Sequence, residues 1–352
     1  MKIGITGTGS YTPSIITKNE DFLNHEFFET DGTAFQYENN IIIEKFKAIT
    51  GISERRYAKP EYNTSDLGFF ASQKAIEDAG IDKEELDYII FAHNFGDVTF
   101  GKTQGDTLPS LATRVKHRLA IKNPNCVAYD VLFGCPGWIE GLIQAKAFIK
   151  SGMAKKCLVI GGETLSRVVD THDRDSMIYS DGAGATIVEG NADSGELLAH
   201  ASVTYANEEA YYLFFDKTYK QDGCSNTRYI KMHGRKIYEF ACTHVPQAMK
   251  ECLDKSGVSI DAIKKIFIHQ ANEKMDEAIV KRFYRLYDKA MPENIMPMVI
   301  ETMGNNSVAT IPTLFDQVKK GNLDGHDLSK GDIIMFASVG AGMNVNCIVY
   351  QV

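Results

Sequence analysis

The stretch YDVLFGCPGWIEGLIQAKAFIKSGMA (Tyr129–Ala154) runs from strand formers through a Gly-Cys-Pro-Gly turn into an amphipathic helix. The next residues, KKCLVIGGE (155–163), are a second apolar strand. Strand, helix and strand in that order form a βα unit, and the sequence around it repeats the theme. Upstream, KIGITGTGSY and YIIFAHNF read as buried strands, and TSDLGFFASQKAIEDAG reads as a helix capped by Thr64 or Ser65 and closed by Gly80. Downstream, GAGATIVEG is a strand, YEFACTHVPQAMKECLDKSG a helix, KKIFIHQ a short strand and ANEKMDEAIVKRFY a helix. The chain closes on a strand, a glycine turn and a strand in DLSKGDIIMFASVGAGMNVNCIVYQV. This alternation predicts an α/β protein with a covered central sheet. Its two halves share a pattern, which suggests a duplication with a boundary near 190–200. Stretches 18–45 and 205–230 break the pattern and read as surface excursions capping a site.

Composition narrows the function. The 352 residues are 44% hydrophobic and 24% charged, with a net charge of −8 and a pI near 5.6. That balance argues against nucleic acid as the main partner. Seven cysteines (126, 135, 157, 224, 242, 252 and 347) form no CxxC pair. They read as free thiols of a reducing compartment, and the expected location is the cytoplasm. The N-terminus MKIGITGTGSYTP lacks the apolar core of a signal peptide, and no apolar run approaches the ~18 residues that suggest a membrane span. The nine histidines lack ligand spacing, so no metal site is expected. No nicotinamide or flavin site is expected either. GITGTGS (4–10) lacks the GxGxxG spacing and reads as a strand-end turn, not a phosphate loop.

Cys135 precedes Pro136, a residue suited to a first helical turn. A cysteine there faces the positive end of the helix dipole, which favours thiolate. A lone cysteine in apolar surroundings is more commonly a small core residue. His269 sits at the end of KKIFIHQ, just before a helix. GNNS (304–307) lies at the mouth of another helix, where Asn305 or Asn306 would serve as a cap. SVGAGMN (338–344) puts small residues where backbones pass closely. Each signal alone is weak. One cysteine, one histidine and one asparagine at equivalent junctions together make a site.

Those pieces, DVLFGCPG (130–137), RDSMIYSDGAGA (174–185), HQANEKM (269–275), GNNS and VGAGMN (339–344), occur in one order across nearly the whole chain. In that combination the sequence resembles the β-ketoacyl-[acyl carrier protein] synthase III family, condensing enzymes of the thiolase superfamily. The resemblance implies a duplicated, five-layered αβαβα fold, with halves at 1–195 and 196–352, and a homodimer. It implies that Cys135 accepts an acyl group, that His269 and Asn305 stabilise the enolate of a second thioester, and that the amides of Cys135 and Ala341 form an oxyanion hole. Substrates would be acyl-CoA or acyl carrier protein thioesters, with no cofactor. Arg174 falls where the family has an Arg against the adenine of coenzyme A, but the partnering Trp position falls on Lys45. Leu108 falls where a Phe commonly narrows the acyl pocket from the partner subunit, which suggests a longer or bulkier chain than acetyl. Arg235, Lys236 and Lys274 are candidates for a basic rim that receives the acidic carrier protein.

EKFKAITGISERRYAKPE (44–61), the absent Trp and the early insertion are also similar to a divergent branch that joins two acyl chains into dialkylresorcinol or cyclohexanedione heads. Two readings of other classes stand beside these. Cys, His and Asn also serve in cysteine hydrolases, where His deprotonates the thiol. A non-catalytic partner subunit is the third, although it would need none of the three polar residues.

Overall fold

The computed structural model describes residues 1–190, 195–221 and 226–352. Cys224, and part of the expected boundary near 190–200, lie outside the described residues. One sheet takes β1 (Ile3–Tyr11), β2 (Tyr88–Ala92), β3 (Val127–Val131), β4 (Lys156–Thr164) and β5 (Asp181–Gly190), in the order β1-β5-β4-β2-β3. The other takes β6 (Glu196–Thr204), β7 (Ile263–Ile268), β8 (Ile333–Gly340) and β9 (Asn344–Gln351), in the order β6-β9-β8-β7. In both sheets the first two neighbouring pairs are antiparallel and the next is parallel.

The longer helices are α1 (Asn39–Thr50), α2 (Thr64–Ala79), α3 (Leu111–Arg118), α4 (Gly137–Lys150), α5 (Gly234–Ser256), α6 (Glu273–Arg285) and α7 (Thr310–Lys319). Three apolar clusters place them in layers. Leu67, Ala71 and Ala75 of α2, with Leu111 and Val115 of α3, pack on the outer face of the first sheet. Val245, Met249 and Cys252 of α5, with Ile279 and Phe283 of α6, pack on the outer face of the second. Between the sheets lie α4 and α7, whose Trp138, Leu142, Leu314 and Phe315 meet Ile90 and Val159 on one side and Phe267 and Phe336 on the other. The result is the thiolase-like αβαβα sandwich. Edge-to-face rings stitch its middle, with Trp138–Phe336 centroids at 5.4 Å and Phe315–Phe336 at 5.2 Å. Each such pair adds about 0.5–1.5 kcal/mol beyond its area.

Two local expectations are corrected. GITGTGS is not a strand-end turn; it lies inside β1. Its glycines let α2 lie directly on the strand: a Cβ on Gly7 would come 2.3 Å from the Ala75 carbonyl oxygen, and one on Gly9 2.4 Å from that of Ala71. The cap of α2 is Asn63, paired in a capping box with Asp66, rather than Thr64 or Ser65.

Asp276 of α6 is wholly buried, and neither carboxylate oxygen meets a hydrogen-bond donor in good geometry among the described residues. Burial pushes its pKa well above the usual carboxylate range. In the unfolded chain the group ionises near pH ~3.9, so the folded state loses stability as pH rises above that value. Asp276→Asn should therefore raise unfolding stability at pH 8 by about 1–3 kcal/mol. The gain should all but vanish at pH 4, and urea unfolding at the two pH values checks it.

Candidate active site

A cavity of about 1150 Å³ opens over the ends of the strands, and Cys135, His269, Asn305 and Ala341 all line it. Each is delivered by a junction. Cys135 stands between β3 and α4, on a turn that needs Gly134: its φ is +66°, and a Cβ there would come 2.7 Å from the Ala341 amide nitrogen. A Cβ on Gly340 would come 2.3 Å from the Cys135 amide nitrogen. The backbones of 134–135 and 340–341 thus lie against each other, and small residues are the condition for that approach.

Asn305 is held from both sides. Its amide donates to the Ile178 carbonyl at 2.9 Å, and its carbonyl accepts from the Ser180 amide at 2.8 Å. Its Oδ1 accepts from the Ser307 amide at 2.8 Å, which leaves Nδ2 as the atom it can offer to the cavity. Asn306 is the N-cap of the short 3-10 turn Ser307–Ala309 that leads into α7, and the N-cap of α7 itself is Ala309. The Met177–Tyr179 run that positions Asn305 is anchored by Arg55. The Arg55 Nε and Nη2 donate to the Met177 carbonyl, at 3.0 and 2.6 Å.

His269 follows β7 and is only 4% exposed. Its amide donates to the Ala337 carbonyl at 2.9 Å, and its Nδ1 has no partner among the described residues. Burial lowers its pKa to about 4, so the imidazole is neutral across the physiological range.

The thiol departs from expectation. Burial pushes Cys135 up to about 11, against the pull of the Ser307 hydroxyl and its own amide. The resting group is the thiol, not the thiolate that a helix start alone predicts. Ser307 donates from Oγ to the Cys135 sulfur at 3.2 Å and holds a φ of +52°. That left-handed conformation is uncommon for serine and persists where the surroundings enforce it. The sequence places Ser307 in a capping run and in the GNNS motif but gives it no role of its own.

Lys45, Arg174, Arg235 and Lys236 also line the cavity. Lys45 Nζ lies 3.9 Å from the centroid of the Tyr37 ring. The Arg174 guanidinium lies 5.2 Å from the Phe35 centroid, with its Nε 3.5 Å from Asp175. Excursion 18–45 therefore puts rings on both cations. Lys236 Nζ lies 5.3 Å from the Tyr212 centroid, and Arg235 is at the exposed rim, paired with Glu239 at 2.9 Å. Two candidates are elsewhere. Lys274 is exposed on α6 outside the cavity lining, and Leu108 is 88% exposed and also outside it. The paired strands Leu213–Lys217 and Arg228–Met232 contribute Phe215, Ile230 and Met232 to the cavity lining. Buried Lys231 pins them to Asp170 and Asp173, at 2.6 and 3.1 Å.

Comparisons with known proteins show the family and the fold. The family model for 3-oxoacyl-[acyl-carrier-protein] synthase III matches residues 129–206, and its C-terminal counterpart matches 253–352. Beta-ketoacyl-[acyl-carrier-protein] synthase III 1 of Vibrio vulnificus is 33% identical over 339 residues, 96% of each chain. The synthase III of Oceanobacillus iheyensis is 33% identical over 346 residues, 97% of this chain and 96% of that one. The crystal structure of the Aquifex aeolicus synthase III matches with a TM-score of 0.81 at 30% identity, covering 99% of this chain and 100% of that one. The OleA structure from Xanthomonas campestris, at 17% identity and a TM-score of 0.79 over 100% and 97% of the two chains, shares the fold. The fold and the cavity define a condensing enzyme of the thiolase type. The chain belongs to the 3-oxoacyl-[acyl-carrier-protein] synthase III family, acyltransferases that form a carbon–carbon bond by Claisen condensation.

Among the described residues no group of three or more His, Cys, Asp or Glu is arranged to hold a metal. No helix among them is long and apolar enough to cross a membrane.

Proposed function

We propose that Cys135 carries the acyl group and that His269 and Asn305 stabilise the enolate of the second substrate. The Cys135 sulfur attacks an acyl thioester, the donor's carbon–sulfur bond breaks, and the proton leaves with the departing thiol. The amides of Cys135 and Ala341 receive the negative oxygen of that tetrahedral intermediate. A malonyl-type thioester then loses CO2, and its enolate oxygen is met by the imidazole N–H and Asn305 Nδ2. The enolate carbon attacks the acyl group, and Cys135 is released as the 3-oxoacyl product forms. The observation that carries this reading is a buried, neutral His269 lining the same cavity as Cys135 and Asn305. A neutral imidazole suits hydrogen-bond donation to developing charge. A hydrolase would instead ask it to take the thiol's proton.

The two large sheets, drawn from 3–190 and 196–351, support functional halves at 1–195 and 196–352, the first supplying the nucleophile and the second His269 and Asn305. The donors are acyl thioesters of coenzyme A or acyl carrier protein, and no cofactor enters the cycle. The basic side chains of Arg235, Lys236 and Lys274 are the docking rim for the acidic carrier protein. The enzyme is a homodimer, in which exposed Leu108 reaches the partner's acyl pocket, and it works in the cytoplasm, where free thiols persist. The six described cysteines are unpaired with one another.

The cations at Lys45 and Arg174 are covered by the chain's own rings, Tyr37 and Phe35. That favours a second reading for substrate choice: longer carrier-bound chains, including the joining of two of them into a dialkylresorcinol or cyclohexanedione precursor. The test is product analysis by mass spectrometry with malonyl carrier protein and acyl donors of graded length on both carriers. We expect 3-oxoacyl product, with medium or long donors ahead of acetyl-CoA by about tenfold. A preference for acetyl-CoA would restore the ordinary chain-initiating role, and free acid without condensation would support the hydrolase.

A further inference from the structure

Glu163, at the end of β4, is wholly buried. It does not line the cavity, yet it is joined to the nucleophile by a short chain of hydrogen bonds. Its Oε1 accepts from Asn94 Nδ2 at 2.5 Å. The same Asn94 nitrogen reaches Ser307 Oγ at 3.2 Å, and Ser307 Oγ donates to the Cys135 sulfur at 3.2 Å. The second carboxyl oxygen, Oε2, is buried with no partner among the described residues.

A bare anionic oxygen in so dry a place is costly, whereas a proton on it removes the charge. The donors are also consistently oriented. The two Asn94 N–H groups point to Glu163 and to Ser307, which frees the Ser307 hydroxyl hydrogen for the sulfur. We propose that Glu163 is a positioning residue that works as a neutral carboxylic acid, fixing Asn94 and Ser307 so that the hydroxyl supports a Cys135 thiolate, and that its ionisation opposes that thiolate.

Two negative charges this close in a low-dielectric interior disfavour each other. The other titratable groups around them are few. Asp181 on β5 faces Glu163 and raises its pKa further. Asp181 is itself held by the Ala58 amide and by the amide and hydroxyl of Ser166, with Arg167 nearby. On the sulfur's side are the neutral His269 and the buried Tyr179 phenol. Burial is the largest influence on Glu163 and takes it to about 8, so it changes charge within the range over which the small thiolate fraction of Cys135 grows with pH. Ionisation releases the Oε2 proton to solvent and leaves the sulfur facing a like charge through the relay.

The inference rests on Cys135 being the reactive thiol, and the experiment separates the two claims. Alkylation of Cys135 by iodoacetamide is followed by peptide mass spectrometry from pH 6.5 to 9.5 in wild type, Glu163→Gln and Ser307→Ala. In wild type the rate should climb with pH and then flatten near pH 8. Glutamine has the carboxylic acid's shape and cannot ionise. The ratio of its rate to wild type should rise by about tenfold across the range, one pKa unit of relieved repulsion. Ser307→Ala should slow alkylation throughout while keeping the bend, because the bend belongs to the carboxyl.

A wild-type profile that rises as a single titration without a bend overturns the proposal, even if Glu163→Gln fails to fold. So does a bend retained in a folded Glu163→Gln protein. No alkylation of Cys135 at any pH would instead overturn the nucleophile assignment, and the proposal with it.

Discussion

Replacing Cys135 by Ala should reduce turnover by roughly 10³-fold or more, because the covalent route disappears with its only acceptor atom. The fold should tolerate the change. Cys135 is partly accessible rather than a core-filling side chain, and its turn is specified by Gly134 and Gly340, whose backbone contacts do not involve the sulfur. Ser307 loses the acceptor for its hydroxyl, but that hydroxyl faces the cavity, where water can replace the sulfur. Steady-state product formation measured beside a thermal unfolding curve checks both halves: lost turnover with an unfolding midpoint close to wild type.

His269→Ala should cost about 10²–10³-fold in condensation, the usual loss when one preorganised donor to a developing oxyanion is removed, while acylation of Cys135 continues. The asymmetry follows from chemistry. The donor on the sulfur is Ser307, and the amides of Cys135 and Ala341 serve the first carbonyl, so the first half-reaction does not need the imidazole. Enolate formation does. The variant should therefore accumulate acyl-enzyme. A cysteine hydrolase behaves in the opposite way, since there the histidine creates the attacking thiolate and its loss abolishes acylation. Single-turnover acylation and overall condensation, measured on one preparation, separate the two. Loss of both together would contradict the assigned roles.

Much of this was legible in the sequence because it is local. Strand-to-helix junctions at Cys135 and His269, and the small residues of GNNS and VGAGMN, are readable from a few neighbouring positions. The structure explains the small residues: Gly340 and Gly134 exist to let two backbone segments touch. What stayed hidden depends on partners far along the chain. Glu163 ends an apolar strand and looks like its exposed polar terminus, but it is buried against Asn94, 69 positions away, which in turn meets Ser307. Asp276 sits in EKMDE, a charged run that reads as a solvated helix face, and packing of α6 against α5 buries it. The thiol's acidity depends on distant partners for the same reason. The helix start pulls it down locally, but burial by the whole cavity outweighs that pull. Lys45 falls where the resemblance has a Trp. It did not reveal that Tyr37 and Phe35 supply rings to the same cations.

The central claim is that Cys135 carries the acyl group, and intact-protein mass spectrometry tests it most directly. Wild type and Cys135→Ala are each exposed to acyl carrier protein and acyl-CoA donors of graded chain length, without an extender. The account predicts a stable adduct of one acyl group on the wild type, strongest with medium or long chains, and none on the variant. An adduct of equal size on Cys135→Ala, or none on wild type with any donor, would contradict it.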